Sequence, residues 1–463
     1  MPINSFDDYP MSWHPQLDTH TGTLYKNLAA QLEKDIRQGA LKPGTKLPPQ
    51  RELADYLDIN LSTVTKAYKL CSLKGLLQTS VGRGTYIAYD VLNSRQLWPD
   101  SWKSPHIIPL GATRPDDAAY ALVRKQLKEL LQEQDSLKWF DYGTRQDRSW
   151  HCQAGAAFMA HEGLTVDPKN IILSTGVQNA LMAALMAICS HGDAIGADSL
   201  TYPGLKDAAA SLGIRLIPLP YQKDGIDYRM LSSICQQTPL KALYLMPQNQ
   251  NLTTHTMSLT SKQTLAKFAR SYHLLIIEDA SYNLLSTQPA LPIASLLPEQ
   301  TFFLAGLSKG ISPGLRLAYM AVPADYQSAV TRALYTMTIT VSPLMSELAA
   351  RLIVSGAAWQ AIAAHRQEAR QRSQLVQKYL GPFLTEADPA CIFRWLQLPA
   401  DFTSAASFEQ LALRHGVQVY AAERFALGDS SPAKGIRLAI TSPETRTELE
   451  NGLQILRDLL LAH

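Results

Sequence analysis

The chain has 463 residues, 46% hydrophobic and 18% charged, and a formal net charge of +3. It can therefore bury a large core, and this composition argues against wholesale disorder, while the overall charge says little. The cysteines Cys71, Cys152, Cys189, Cys235 and Cys391 are scattered, odd in number and without CxxC or Cys/His spacing, which argues against a metal site and against a disulfide framework. Asp7 and Asp8 stand where a signal peptide needs basic and then apolar residues, and runs such as 274–277 are too short for a bilayer. A cytoplasmic protein with no membrane partner is expected.

Charge is unevenly distributed. Residues 20–89 hold ten Lys/Arg against five Asp/Glu, which points to an anionic partner for that segment, although many basic faces are simply solvated. Leu24, Leu28, Leu32 and Ile36 recur every four residues, so a helix is expected there, stopped by Gly39 and the Pro43-Gly44 turn. A short helix over 51–57 and the turn Asp58-Ile59-Asn60 follow. The next helix, 61–73, has Val64, Ala67, Tyr68 and Cys71 on its inner face. Residues 76–79 and 85–88 read as strands joined by Ser80-Val81-Gly82-Arg83-Gly84. Three helices and a two-stranded wing make a winged helix-turn-helix.

Leu41-Lys42-Pro43-Gly44-Thr45-Lys46-Leu47-Pro48-Pro49-Gln50-Arg51-Glu52-Leu53-Ala54, Ser62-Thr63-Val64 and Gly82-Arg83-Gly84-Thr85-Tyr86 resemble the GntR family of bacterial regulators. The resemblance implies that Arg51, Ser62, Thr63, Thr65 and Lys66 face double-stranded DNA, with Arg83 of the wing on phosphate or in the minor groove. One departure is Leu61, where several relatives carry a basic residue.

Residues 89–106 lack a sustained period and read as a linker, with 1–19 as an N-terminal arm, 20–88 as the DNA-binding domain and 107–463 as one large domain. Within the large domain, strand patterns at 171–173, 194–196, 215–218, 242–245, 274–277 and 301–304 alternate with helical ones. An α/β fold with a mainly parallel sheet is expected, followed from about Ser342 by a smaller lobe that ends in a helix over 443–460.

Leu307-Ser308-Lys309-Gly310 follows an apolar run. With Glu278-Asp279-Ala280-Ser281-Tyr282, Ser174-Thr175-Gly176-Val177-Gln178 and Gly435-Ile436-Arg437-Leu438, it resembles the fold-type I aminotransferases across 107–463. That likeness implies a mainly parallel large lobe, a smaller α+β C-terminal lobe and pyridoxal 5'-phosphate (PLP) as cofactor. Lys309 would carry it covalently and Arg316 would clamp the phosphate, with Ser308 adding a hydroxyl. Gly176, Val177 and Gln178 would cradle that phosphate at a helix N-terminus. Asp279 would pair with the ring nitrogen, Tyr282 and Asn251 would donate to the ring oxygen, and Tyr202 would stack on the ring. Arg437 would hold a substrate or effector carboxylate. Tyr142 would reach the phosphate of a neighbouring subunit in a homodimer. Each residue alone has an ordinary explanation, a helix cap or a packed tyrosine; their order along the chain is what points to a site.

Three departures bear on the pocket. Asn251-Leu252-Thr253-Thr254 lacks the proline and glycine of the usual Asn-Pro-Thr-Gly, Gly306 replaces a frequent hydroxyl residue, and Asp147 follows Tyr142-Gly143 where a glycine is usual. A looser pocket and weakened turnover are expected. The fusion of the two parts resembles the MocR family of transcription regulators. That likeness implies a homodimer on paired half-sites, switched by PLP or a small amino compound. A working aminotransferase with an attached DNA reader is the alternative, and a scaffold that has lost PLP a third possibility.

Overall fold

The computed structural model describes residues 11–17, 23–37, 40–41, 44–73, 76–80, 84–87, 106–117, 119–222, 225–288, 290–428 and 434–462. The chain divides into two compact units, Met1–Leu97 with Glu423–Pro432, and Trp98–Ala422 with Ala433–His463. Arg83, the tip of the wing and the expected linker up to residue 105 lie outside the described residues.

In the first unit, α1 (Leu24–Arg37), α2 (Gln50–Tyr56) and α3 (Leu61–Leu73) precede the antiparallel pair β1 (Leu77–Ser80) and β2 (Gly84–Ile87). Leu28, Leu32 and Ile36 meet Leu53 and Ala54, Val64, Ala67, Tyr68 and Cys71 in one core. The inner face of α3 is thus the face its periodicity gives. Trp13, from the expected arm, is buried in the same core and donates its indole N–H to Asp35 at 2.8 Å. Residues 45–47 add backbone bonds to the wing, Leu47 N to Thr85 O at 2.8 Å and Ile87 N to Thr45 O at 2.9 Å, a pairing without a recognisable strand pattern.

In the second unit, β3 (Ile108–Pro109), α4 (Tyr120–Leu131) and α5 (Arg145–His161) lead into the sheet elements β4 (Ile171–Ser174), α6 (Val177–Ile188), β5 (Ala194–Ala197), α7 (Pro203–Leu212) and β6 (Arg215–Pro218). The hairpin β7 (Tyr221–Gln222) and β8 (Gly225–Ile226), then α8 (Tyr228–Gln237), β9 (Leu240–Leu245), α9 (Leu259–Ser271), β10 (Leu275–Asp279), β11 (Thr301–Gly306) and β12 (Ala318–Ala321) follow. Seven strands form one sheet in the order β4-β12-β11-β10-β9-β5-β6. It is parallel except at β12, which runs antiparallel to both neighbours. The parallel strands were legible as apolar runs; β12 is short and follows directly on a turn. Asp147, unexpected where glycine is usual, forms a capping box with Thr144 at the start of α5.

Beyond the sheet come α10 (Gln327–Thr338), α11 (Pro343–Val354) and α12 (Ala357–Leu380). Next are β13 (Phe393–Gln397), α13 (Ala405–Arg414), β14 (Val417–Gln418), β15 (Tyr420–Ala421), β16 (Gly435–Ala439) and α14 (Arg446–Leu461). The smaller lobe begins later than Ser342. Leu348, Ala349 and Leu352 of α11 and the first turns of α12 are buried in the same core as Phe158 of α5 and Phe303 of β11. The smaller lobe's antiparallel sheet is β13-β16-β15, and β3 pairs with β14. Among the described residues no helix is long and apolar enough to cross a membrane.

Close packing of α5 on the sheet depends on Gly155, where a Cβ would lie 2.5 Å from the ring of the fully buried Tyr319. Gly155→Ala is expected to destabilise this unit by about 2 kcal/mol through overpacking. A thermal melt checks this, and an unchanged midpoint would mean that the ring can move aside.

Candidate functional site

Strand ends carry the acidic and basic groups. β10 delivers Asp279 to the C-terminal edge of the sheet, buried at 2% exposure. One of its oxygens accepts from Tyr244 Oη at 2.7 Å, the other from Ser281 N at 2.9 Å and Ser281 Oγ at 2.5 Å. Burial pushes this carboxyl above its ordinary range, and those donors oppose the shift. Tyr244 was not foreseen, because in sequence it is one more apolar residue of β9; it lies beside Ile277 in the register.

Lys309 follows β11. Its Nζ donates to Thr113 O at 2.7 Å and to Thr113 Oγ1 at 3.1 Å. Burial above all, then the nearby Arg437 and Arg316, pull its pKa down from 10.5 to about 8, against the pull of Asp279. The Thr113 hydroxyl also bonds Tyr282 Oη at 3.0 Å. Tyr282 stands edge-on to Phe393, ring centres 5.0 Å apart. Thr113 lies in an aperiodic stretch where nothing in the sequence marks it.

Asn251 Oδ1 accepts from Arg437 Nη1 at 2.7 Å, and Gly111 O accepts from Nη2 at 2.7 Å. The guanidinium lies over the Tyr420 ring, 5.3 Å from its centre. That ring in turn rests on Gly111, where a Cβ would come within 2.6 Å of it. Backbone pairing of Arg437 with Tyr420 and with Trp395 places the guanidinium on the small sheet.

The helix α6 begins at Gly176, φ 95°, with no side-chain cap. Arg316, itself at φ 47°, brings a guanidinium nitrogen to 2.9 Å from where a Gly176 Cβ would be. Val177 fills the space beside Gly306, where a Cβ would be 2.6 Å from its methyl, so a hydroxyl residue has no room there. Gln178 Nε2 donates to Gly204 O at 2.8 Å, next to Tyr202 at the start of α7. Burial raises the Tyr202 phenol, Asp279 and Tyr282 add to that, and Arg316 opposes it. Ser308 is half-buried beside Lys309.

Lys309, Asp279, Arg316, Arg437, Tyr282 and Tyr202 lie close enough to act on one another's charge, with Thr113 and Asn251 bonded among them. Tyr142 does not join them within this chain: it is 73% exposed and lines a cavity of about 680 Å³ with His151, Tyr335 and Ile339.

The Asn251 loop, without the usual proline and glycine, is braced by hydrogen bonds. Gln250 Oε1 accepts from Leu252 N at 3.0 Å, Thr253 N at 2.9 Å and Thr253 Oγ1 at 2.7 Å, while its Nε2 donates to Leu200 O at 2.6 Å. Thr254, in place of the usual glycine, keeps a positive φ of 64°. Gln250→Met is expected to cost about 2–3 kcal/mol, because buried N–H groups lose their acceptor. Chemical denaturation checks this, and a loss below about 1 kcal/mol would mean that the loop is held by other contacts.

In the first unit, Asn60 Oδ1 caps α3 by accepting from Ser62 N at 2.8 Å. Arg51, Ser62, Thr65 and Lys66 are exposed, Thr63 is half-buried, and Lys69, unforeseen, is exposed in the same row as Thr65. Thr65 Oγ1 donates to Gln50 Oε1 at 2.7 Å.

The fold and the cleft define the class I and II aminotransferase architecture. The description "Aminotransferase class I and II" matches residues 105–456, and "Bacterial regulatory proteins, gntR family" matches 24–87. An archaeal alanine:glyoxylate aminotransferase superposes with a TM-score of 0.70 at 22% identity, over 77% of this chain and 91% of that one, a likeness of fold. The HTH-type transcriptional regulator YdeF of Bacillus subtilis is 46% identical over 99% of both chains. The HTH-type pyridoxine biosynthesis transcriptional regulator PdxR of Corynebacterium glutamicum is 25% identical over 81% of this chain and 82% of its own. The chain belongs to the family of DNA-binding transcriptional regulators that join a GntR-type winged helix to an aminotransferase-like domain, the MocR-type architecture.

Proposed function

We propose that this chain is a PLP-dependent transcriptional regulator of the cytoplasm. In this reading it binds DNA as a homodimer on paired half-sites, and its aminotransferase-like domain responds to PLP or to a small amino compound. The observation that carries the proposal is the shared cleft of Lys309, Asp279 and Arg316 in a chain that also holds a DNA reader.

The residues fit the cofactor. Among the described residues the Arg316 guanidinium has no hydrogen-bonded protein partner, and it stands beside an uncapped helix N-terminus, a pairing suited to a phosphate dianion. Asp279 is an acceptor for a protonated ring nitrogen, and Gly176 leaves the close approach that a side chain would block. When bound, PLP supplies an aldehyde that captures a primary amine. Lys309 offers that amine, Tyr282 and Asn251 orient the ring oxygen, Tyr202 covers the ring, and Gly176, Val177, Gln178 and Ser308 surround the phosphate. Arg437 holds a ligand's carboxylate. The exposed Tyr142, Tyr335 and Ile339 around the 680 Å³ cavity support a partner subunit on that face. Arg51, Ser62, Thr63, Thr65, Lys66 and Arg83 contact DNA.

A working aminotransferase is the second reading, favoured by the bracing of the Asn251 loop. Multiple turnover of an amino donor with a 2-oxo acid, lost in Lys309→Ala, would establish it. The first test is an absorbance spectrum with PLP, followed by titration with amino acids and amines. A band that one compound shifts supports the effector reading, and no band at all overturns the PLP reading.

Below about pH 8 the Lys309 amine is protonated and cannot attack the aldehyde. The rate of covalent PLP attachment is therefore expected to rise about tenfold per pH unit and to level off above that pH, where an ordinary lysine keeps rising. Stopped-flow absorbance reads the profile, and a rate still climbing at pH 10 (roughly an ordinary lysine's pKa) would contradict it. In the reader, Lys66→Ala is expected to weaken DNA binding and to reduce the slope of log K against log salt by about one. An unchanged slope would remove Lys66 from the phosphate contacts.

A further inference from the structure

Besides Ser72 in its last turn, α3 exposes five residues in two adjacent rows: Leu61, Thr65 and Lys69 in one, Ser62 and Lys66 in the other. Four are polar or cationic. Leu61, in the first turn, is 39% exposed and the one large apolar side chain among them.

Two of its polar neighbours, Asn60 and Thr65, are already engaged. Asn60 uses its carboxamide oxygen on Ser62 N at 2.8 Å. The Thr65 hydroxyl is shared between Gln50 Oε1 at 2.7 Å and Leu61 O at 3.0 Å. The first turn of the helix therefore exposes a leucine beside a threonine whose hydroxyl is bonded within the protein, with Lys66 and Lys69 exposed on the same helix. An isolated exposed leucine is ordinary on a protein surface. On the face of a recognition helix whose first turn meets base edges, it has one apolar counterpart in the major groove, the thymine 5-methyl group.

We propose that Leu61 is a specificity-determining residue that reads a thymine methyl in the operator. This rests on the DNA-reading function proposed above. A leucine neither donates nor accepts, so its preference is for the methyl and not for a hydrogen-bond pattern. The contact therefore distinguishes thymine from uracil, which differ by that methyl alone.

The experiment uses the full-length chain and a duplex enriched from a randomised pool at fixed salt. Each thymine of that duplex is replaced in turn by deoxyuridine, and affinities are read by fluorescence anisotropy. In the parent chain, at least one replacement is expected to weaken binding about threefold to tenfold. In Leu61→Ala, thymine and uracil should bind equally at that position while the other sequence preferences persist. Leu61→Arg should move the preference at that position from thymine toward guanine. Insensitivity to every replacement in the parent, or an equal penalty in parent and Leu61→Ala, would overturn the inference and leave DNA reading intact. If no duplex is enriched, the DNA-reading proposal falls, and this inference with it.

Discussion

The site is organised by the cost of charging a lysine amine in it, which brings the Lys309 pKa down from 10.5 to about 8. A buried ammonium is disfavoured by desolvation, and two guanidiniums, Arg437 and Arg316, add repulsion. Only Asp279 pulls the other way, and its own charge is opposed by burial and sustained by Tyr244 and Ser281. The strands matter because they set these separations: β9 and β10 run side by side, so Tyr244 and Asp279 come from adjacent strands, while β11 ends beside them and releases the chain into the Lys309 turn. Moving any of these strands by one residue would turn the alternating side chains to the other face of the sheet and dismantle the balance.

The same logic explains how the Asn251 loop keeps its form without proline and glycine. Proline restricts a turn by covalent geometry and glycine permits a positive φ at no steric cost. Here the constraint is made from hydrogen bonds: the Gln250 carboxamide takes up the free N–H groups of the turn, and Thr254 accepts the left-handed conformation. Thr254 is further tied by its hydroxyl to Glu386 O at 3.2 Å. A side-chain brace of this kind is distributed over several partners, none of which is visible from the missing proline and glycine alone.

What could be read from the sequence was what repeats or what stands in a short contiguous motif. The inner face of α3 follows from a period of 3.6, and the parallel strands from apolar runs; Lys309, Asp279 and Arg437 stand in recognisable local strings. Thr113, Gly111 and Tyr244 act through long-range contacts, between 35 and 326 residues apart. No local pattern distinguishes a threonine whose carbonyl will meet a lysine from any other loop threonine. Tyr142 shows the opposite case: its motif is recognisable, yet its place away from the cleft depends on the whole α5 to α11 surface.

Arg437 illustrates what such a cleft can recognise. Two of its N–H groups are directed at Asn251 Oδ1 and Gly111 O, and its planar face lies over Tyr420. A ligand that takes this guanidinium must therefore offer oxygen acceptors to replace those it displaces, in the plane that the ring beneath leaves open. A carboxylate does so with two oxygens and a full negative charge, which roughly doubles the strength of each hydrogen bond. A hydroxyl or an amine replaces at most one, and leaves a buried donor or acceptor unpaired at a cost of about 1–3 kcal/mol. In the proposed role of Arg437, discrimination in favour of carboxylate-bearing compounds would be a property of the unpaired partners as much as of the arginine itself.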